Sequence, residues 1–237
     1  MSRRKRLGQH YLVDGGVVSK IIEIAGIQEN ERVFEIGPGR GSMTLELSRR
    51  THKMEAYEID RQNYLLLRSK LSDRVKLHLG DAFEAEPEFD VLVSSLPYSM
   101  SSAFVEWLSK RDYDRAVVVL QEEFVRKILS PPGTKDYRAL SAISQISSSV
   151  EKMETVNRSS FGPQPRVNSR IVVIRFRRSL DDEVISLIKR LFSLRRRRLE
   201  GVAKEFGLKM DSRWREERIL SIPPEEVYRI VTQWLGR

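Results

Sequence analysis

Glu35-Ile36-Gly37-Pro38-Gly39-Arg40-Gly41 is the stretch that decides the fold. It closes Arg32 to Ile36, whose apolar run reads as a buried strand, and it opens Ser42 to Arg50, which reads as a helix. A glycine turn between a strand and a helix is where a doubly wound parallel sheet takes a nucleotide-like ligand, because residues without Cβ let the backbone approach it. The spacing is G-x-G-x-G rather than the dinucleotide G-x-G-x-x-G, and an acid stands two residues before the first glycine. A turn of this kind suits an adenosyl amino acid as well as a pyrophosphate.

Working outward, Met54 to Ile59, Val75 to Leu79, Phe89 to Ser94 and Ala116 to Leu120 read as strands. Arg61 to Leu71, Ser101 to Ser109 and Glu122 to Leu129 read as amphipathic helices. That alternation predicts an α/β, Rossmann-like, doubly wound sheet covered on both faces. After the breaker Ser130-Pro131-Pro132-Gly133-Thr134, the spacing predicts a helix over Tyr137 to Ser147 and β runs at Val150 to Val156 and Ser169 to Arg177. Phe161-Gly162-Pro163-Gln164-Pro165 separates the two runs, which rules out a tight hairpin and predicts an antiparallel pair at the sheet edge, for seven strands in all. From Ser179 onward the pattern is helical only: Asp181 to Phe192, Arg195 to Glu205 and Pro224 to Trp234. The expected division is a basic arm at 1–7, a catalytic domain at 8–178 and a small helical RNA-binding domain at 179–237.

The chain has 237 residues, no cysteine and a formal charge of +9. Without Cys there is no disulfide framework and no thiolate metal site, and the three scattered histidines make no metal constellation. No window approaches the length of a membrane span and no secretory signal is present, so a cytoplasmic protein is expected. The positive charge is unevenly placed. Residues 1–7 carry +4, residues 158–178 carry +6 without one acid, residues 179–237 carry +3, and residues 8–157 carry −4. Basic appendages around an acidic body fit a polyanion-binding rim better than a surface made basic for solubility.

Two further strand ends carry acids. Ala56-Tyr57-Glu58-Ile59-Asp60 places a carboxylate where a ribose diol would lie, with Glu58 preferred over Asp60, and Leu79-Gly80-Asp81-Ala82-Phe83 offers an acceptor for an adenine amino group. Turn, acid and acid at three successive strand ends match S-adenosylmethionine enzymes better than NAD enzymes. The fourth strand ends in Ser94-Ser95-Leu96-Pro97-Tyr98. With it the chain resembles the KsgA type of small-subunit rRNA adenine dimethyltransferase, whose relatives include the Erm resistance methyltransferases and the mitochondrial transcription factor B proteins. Gly8-Gln9-His10-Tyr11-Leu12, Glu35 to Leu45, Leu120-Gln121-Glu122-Glu123, Pro132 to Tyr137 and Phe161 to Ser169 resemble that family's ordered motifs.

The resemblance implies transfer of methyl groups from S-adenosylmethionine to N6 of two adjacent adenosines in a terminal hairpin loop of small-subunit rRNA. It implies that His10 and Leu12 border the cofactor, that Gly37 backs its methionine part, that Glu58 and Asp81 hold ribose and adenine, and that Gly39 and Ser95 complete the cofactor site. Adenine N6 is a poor nucleophile because its lone pair is delocalised into the ring, so its hydrogens need acceptors that favour a pyramidal nitrogen. A side-chain acceptor at Ser95 and the Leu96 carbonyl would serve, Pro97 would fix the turn, and Tyr98 would stack on the flipped base. No protein nucleophile and no metal is required. Ser95 departs from the family, which has Asn there; the hydroxyl is shorter, and it keeps a weakly or non-catalytic RNA-binding assembly factor as the alternative reading. Arg3, Arg4, Lys5 and Arg6, with Arg166, Arg170, Arg195, Arg196, Arg197 and Arg198, are the expected phosphate contacts to rRNA or a pre-ribosomal small-subunit particle. A monomer is expected, since no heptad seam is present.

Overall fold

The computed structural model describes residues 10–73, 75–207 and 213–236. Arg3, Arg4, Lys5 and Arg6 lie outside these described residues. The chain divides into two compact units, one made of 1–104, 112–125 and 151–176, the other of 105–111, 126–150 and 177–237. The helical part is therefore larger than the expected 179–237, because Ala139–Ser147 belongs with it.

The first unit opens with β1 (Tyr11–Leu12) and α1 (Gly15–Ala25). This helix lies before the strand–helix alternation that starts at Glu31 and was not expected from the sequence. Asp14 caps it by accepting from the Gly16 and Val17 amides, Gly26 ends it at φ 55°, and Val18, Ile21, Ile22 and Ala25 form its buried face at helical spacing. Then come β2 (Val33–Ile36), the short α2 (Thr44–Leu47), β3 (Met54–Glu58), α3 (Arg61–Arg68), β4 (Val75–Leu79) and β5 (Val91–Ser95). After α4 (Ser101–Leu108) follow β6 (Arg115–Gln121), α5 (Glu122–Ile128), α6 (Ala139–Ser147), β7 (Ser148–Val156), β8 (Phe161–Gly162) and β9 (Ser169–Phe176).

Seven strands form one sheet in the order β4-β3-β2-β5-β6-β9-β7. The central pairs are parallel and β9 runs antiparallel to β6. The two β runs expected at the edge are there, with β7 outermost and β9 beside it. The order reverses between β2 and β5, and a doubly wound sheet opens its ligand crevice beyond the strand ends at such a reversal. On one face Val33, Val91, Val93, Val117, Val119, Ile171 and Val173 pack beneath α1. On the other, Phe34 stacks on Phe89, and Tyr57 on His78. Arg115 ties the core to α1: it bonds both carboxylate oxygens of Glu31 and the carbonyls of Ala25 and Gly26. Its donors satisfy carbonyls that the helix end leaves open.

In the second unit α6 packs against α7 (Asp182–Ser193) and α9 (Pro224–Trp234), with α8 (Leu199–Glu205) between these last two in sequence. Its core is Ile143, Ile146, Ile188, Leu191, Val202, Val227 and Ile230 around the fully buried Tyr137. The Tyr137 hydroxyl donates to the Ile222 carbonyl at 3.1 Å, so this large polar aromatic is buried without an orphaned oxygen. Arg195 to Arg198 do not lie on a helix as expected. They form the turn before α8, and Arg198 pairs with Arg218 in an antiparallel bridge. Among the described residues, no helix is long and apolar enough to cross a membrane.

Candidate active site

The ends of β2, β3, β4 and β5 converge on one cavity of about 230 Å³. His10, Leu12, Gly37, Gly39, Glu58, Asp81, Ser95, Leu96 and Pro97 all line it. This places every cofactor-site residue expected from the sequence in one place.

Gly37 and Gly39 have φ of 67° and 59°, values that favour glycine. A Cβ on Gly37 would meet no atom within 4 Å, so open space lies above the turn; a Cβ on Gly39 would come within 3.0 Å of the Tyr11 ring. The turn is a cradle open toward the cavity and closed toward the N-terminal segment.

Glu58 is buried, lines the cavity and is held by the fold. Its Oε2 accepts from the Gly39 amide and its Oε1 from the Asp60 amide, each at 2.8 Å. Burial raises its pKa above the ordinary carboxylate value, and the two amide bonds oppose that rise. Asp60, the second choice for ribose, is the N-cap of α3, where its Oδ1 accepts from Gln62 and Asn63. Asp81 caps the short turn after β4 through Oδ1 to the Phe83 amide at 2.9 Å and lines the cavity as well.

His10 Nδ1 lies 2.7 Å from the Pro163 carbonyl, so the ring donates there from Nδ1. The same ring stands 5.5 Å from that of Tyr98. Tyr98 does not line the cofactor cavity; it sits next to it, its hydroxyl 2.8 Å from the Ser169 hydroxyl. Burial pushes the Tyr98 phenol up. Leu12 is held over the glycine turn by the Ser42 hydroxyl, which donates to its carbonyl, and β1 pairs with β8 through Tyr11 to Gly162 and Leu12 to Phe161. The segment around His10 thus joins the Gly-Pro loop to the glycine turn.

Ile59 and Phe83, quoted in the strand-end motifs without a role of their own, line the cavity along with Glu58 and Asp81. Ile59 is 50% exposed, an unusual position for a large apolar side chain at the end of a buried strand. Its place directly after Glu58 was the available signal. Ser169, the partner of Tyr98, was also missed as a functional residue, although it closes the motif quoted from Phe161.

The expected phosphate contacts divide. Arg166 is exposed. Arg170 bonds Glu122, the Met153 carbonyl and the Thr155 hydroxyl, so its donors serve the joint between α5, β7 and β9. Arg196, Arg197 and Arg198 are exposed, Arg197 being paired with Glu205 at 2.6 Å.

A mostly parallel sheet of this order, with a glycine turn and strand-end acids around one cavity, defines a Rossmann-like methyltransferase. The chain belongs to the ribosomal RNA adenine dimethylase family, whose model matches residues 1–231. It is 34% identical over 95% of its length, and 89% of the other chain, to a probable ribosomal RNA small subunit methyltransferase A of Pyrococcus abyssi. A dimethyladenosine transferase from Plasmodium falciparum shares the fold at TM-score 0.80, with 23% identity over 96% of this chain and 98% of that one. The 23S rRNA methyltransferase ErmE superposes at TM-score 0.65, with 27% identity over 94% and 99% of the two chains.

Proposed function

We propose that this enzyme transfers methyl groups from S-adenosylmethionine to N6 of two adjacent adenosines in a terminal hairpin loop of small-subunit rRNA, as a cytoplasmic monomer acting in small-subunit biogenesis. The observation that carries the reading is the convergence of the Gly37 to Gly39 turn, Glu58, Asp81 and the Ser95-Leu96-Pro97 turn on one cavity.

S-adenosylmethionine, when bound, supplies an electrophilic methyl group on a sulfonium. The cavity fits it: the open face of Gly37 accommodates a ligand backbone, Glu58 and Asp81 accept from hydroxyl and amino groups, and Ile59 and Phe83 offer apolar surface to a base. Leu96 is buried, Pro97 stands at φ −55°, and together they fix the carbonyl that would accept from adenine N6. The Ser95 hydroxyl, at the end of β5, would accept the second N6 hydrogen. Tyr98, its hydroxyl fastened to Ser169, presents a ring for a base taken out of its loop. Alignment then supplies most of the rate, since the amine and the methyl group need only be brought together in line. Arg166, Arg195, Arg196 and Arg198 would hold phosphates, as would Arg3, Arg4, Lys5 and Arg6.

Ser95 in place of Asn is the one observation favouring a non-catalytic assembly factor; membership of the dimethylase family and the presence of Glu58, Asp81 and Tyr98 weigh against it. The test is methyl transfer from labelled cofactor to small-subunit particles lacking the modification, with mass analysis of the digested rRNA. The proposal expects N6,N6-dimethyladenosine. Tight particle binding with neither methylated adenosine formed would sink it.

A further inference from the structure

Glu35 is a carboxyl beside the cavity that the proposed chemistry leaves without a task. It is completely buried, and neither of its oxygens has a hydrogen-bond partner. The nearby Thr44 hydroxyl, on α2, is buried and unpartnered too; it lies close enough to favour the charged form slightly but not in hydrogen-bonding geometry. An ionised carboxylate left in this way would be costly, so the group is expected to carry a proton.

Strand register shows what Glu35 faces. Glu35 pairs with Ala56 on β3 and Val93 on β5, so it points to the same side of the sheet as Glu58 and Ser95, each two residues farther along its strand. Both of those line the cavity. Glu35 therefore sits one pleat beneath the floor of the cofactor site. The charged group that acts on it is Glu58, whose negative charge disfavours a second one; Asp60 acts on Glu58, and Asp81 and Arg40 line the cavity above. Glu58 is stabilised by two backbone amides and Glu35 by none. Of the two acids on this face, Glu35 is the one that holds a proton.

We infer that Glu35 is a proton reservoir for the cofactor site, which gives up its proton to solvent when a cationic ligand enters the cavity above it. This rests on the reading of the cavity as an S-adenosylmethionine site. The sulfonium of that ligand would bring a positive charge into the cavity above Glu35, in addition to the Arg40 guanidinium on its lining. With the charge in place, ionised Glu35 gains the counter-ion it lacks, and the proton departs. No covalent bond changes. Cofactor binding becomes linked to pH through a residue that does not line the site.

The test is calorimetric titration of the full chain with S-adenosylmethionine in buffers of different ionisation enthalpy, which counts protons released per ligand bound. Glu35 is pushed up to about 8, so it is about nine-tenths protonated at pH 7. The wild-type protein should release between about 0.5 and 0.9 proton at pH 7, and its affinity should tighten at least about tenfold between pH 6 and pH 9. Glu35→Gln keeps a neutral side chain of the same shape; it should lose that release and that pH dependence. The ammonium of the ligand titrates in the same range but is common to both proteins, so the difference between them reports Glu35. A second measurement needs no variant: the carbonyl stretch of a protonated carboxylic acid should disappear from the infrared difference spectrum when the cofactor binds. Equal proton release by Glu35→Gln and wild type, or binding by wild type with no release and no loss of the band, would overturn the inference alone. Absence of any binding would overturn the cofactor reading along with it.

Discussion

The same buried acid should set how the stability of the ligand-free protein responds to pH. Burial raises Glu35 from an ordinary value of 4.5 to about 8 in the folded chain, with Glu58 adding to the rise. A raised folded pKa means that the fold binds the proton more tightly than the unfolded chain. The stabilisation is complete below the unfolded value and is lost as pH rises through the folded one. Each pH unit inside that window is worth about 1.4 kcal/mol, so wild type should lose about 3.5 kcal/mol relative to Glu35→Gln between pH 5 and pH 8. With a urea slope of about 3 kcal/mol per molar, this is a relative midpoint shift of about 1.2 M. The measurement is urea unfolding of both proteins at pH 5, 6, 7, 8 and 9 at constant ionic strength, followed by circular dichroism. Because every other carboxyl is common to the two proteins, their difference isolates position 35. The difference should grow with pH up to about 8 and then level off. A difference independent of pH would refute the argument, since it would mean that Glu35 is solvated or paired in the fold.

Tyr98→Ala should lower methyl transfer by roughly 10- to 100-fold, the worth of one base–aromatic stack, while leaving cofactor affinity within about twofold by calorimetry. Ser95→Asn lengthens the acceptor at N6 and should raise the fraction of dimethylated over monomethylated adenosine in digested rRNA; an unchanged ratio and rate would show that the hydroxyl already suffices. Asp81→Asn should weaken cofactor binding through loss of the acceptor on the cavity wall, with a thermal midpoint close to that of wild type, because the amide oxygen can still cap the Phe83 amide. Replacing Arg196 and Arg198 by Ala should lower the slope of log affinity for rRNA against log salt by about 1 per residue, whereas Arg170→Ala should lower stability and leave the slope unchanged.

Most of the parallel sheet was legible because each strand is a short apolar run bounded by turn residues. β2 to β6 fall within a few residues of their expected places. The N-terminal helix was hidden by its own composition: Gly15 and Gly16 look like a loop and Val17 and Val18 like a strand. Its markers, Asp14 before it and Gly26 after it, are single residues that mean little until the 3.6-residue spacing of Val18, Ile21, Ile22 and Ala25 is seen. The four arginines failed as a helix for a different reason. The expected helix began at Arg195, but the backbone before Leu199 turns to pair Arg198 with Arg218, and the helix starts only at the buried Leu199.

At the site the sequence identified residue types well and their division of labour poorly. Motif spacing can place Glu35, Glu58, Asp60 and Asp81 at strand ends, yet it cannot say which acid faces a ligand, which caps a helix and which lies underneath. Those roles depend on register and on where the backbone amides point. Glu58 and Asp60 are two residues apart, and one lines the cavity while the other closes α3. Glu35 and Glu58 are 23 positions apart in sequence, and the β2–β3 register puts them on one face. A glycine turn built for close approach exposes its amides on one side, and here Glu58 takes the Gly39 amide from below. The acid that starts the motif is left with no amide, so its proton becomes part of the site's charge balance rather than a detail of its packing.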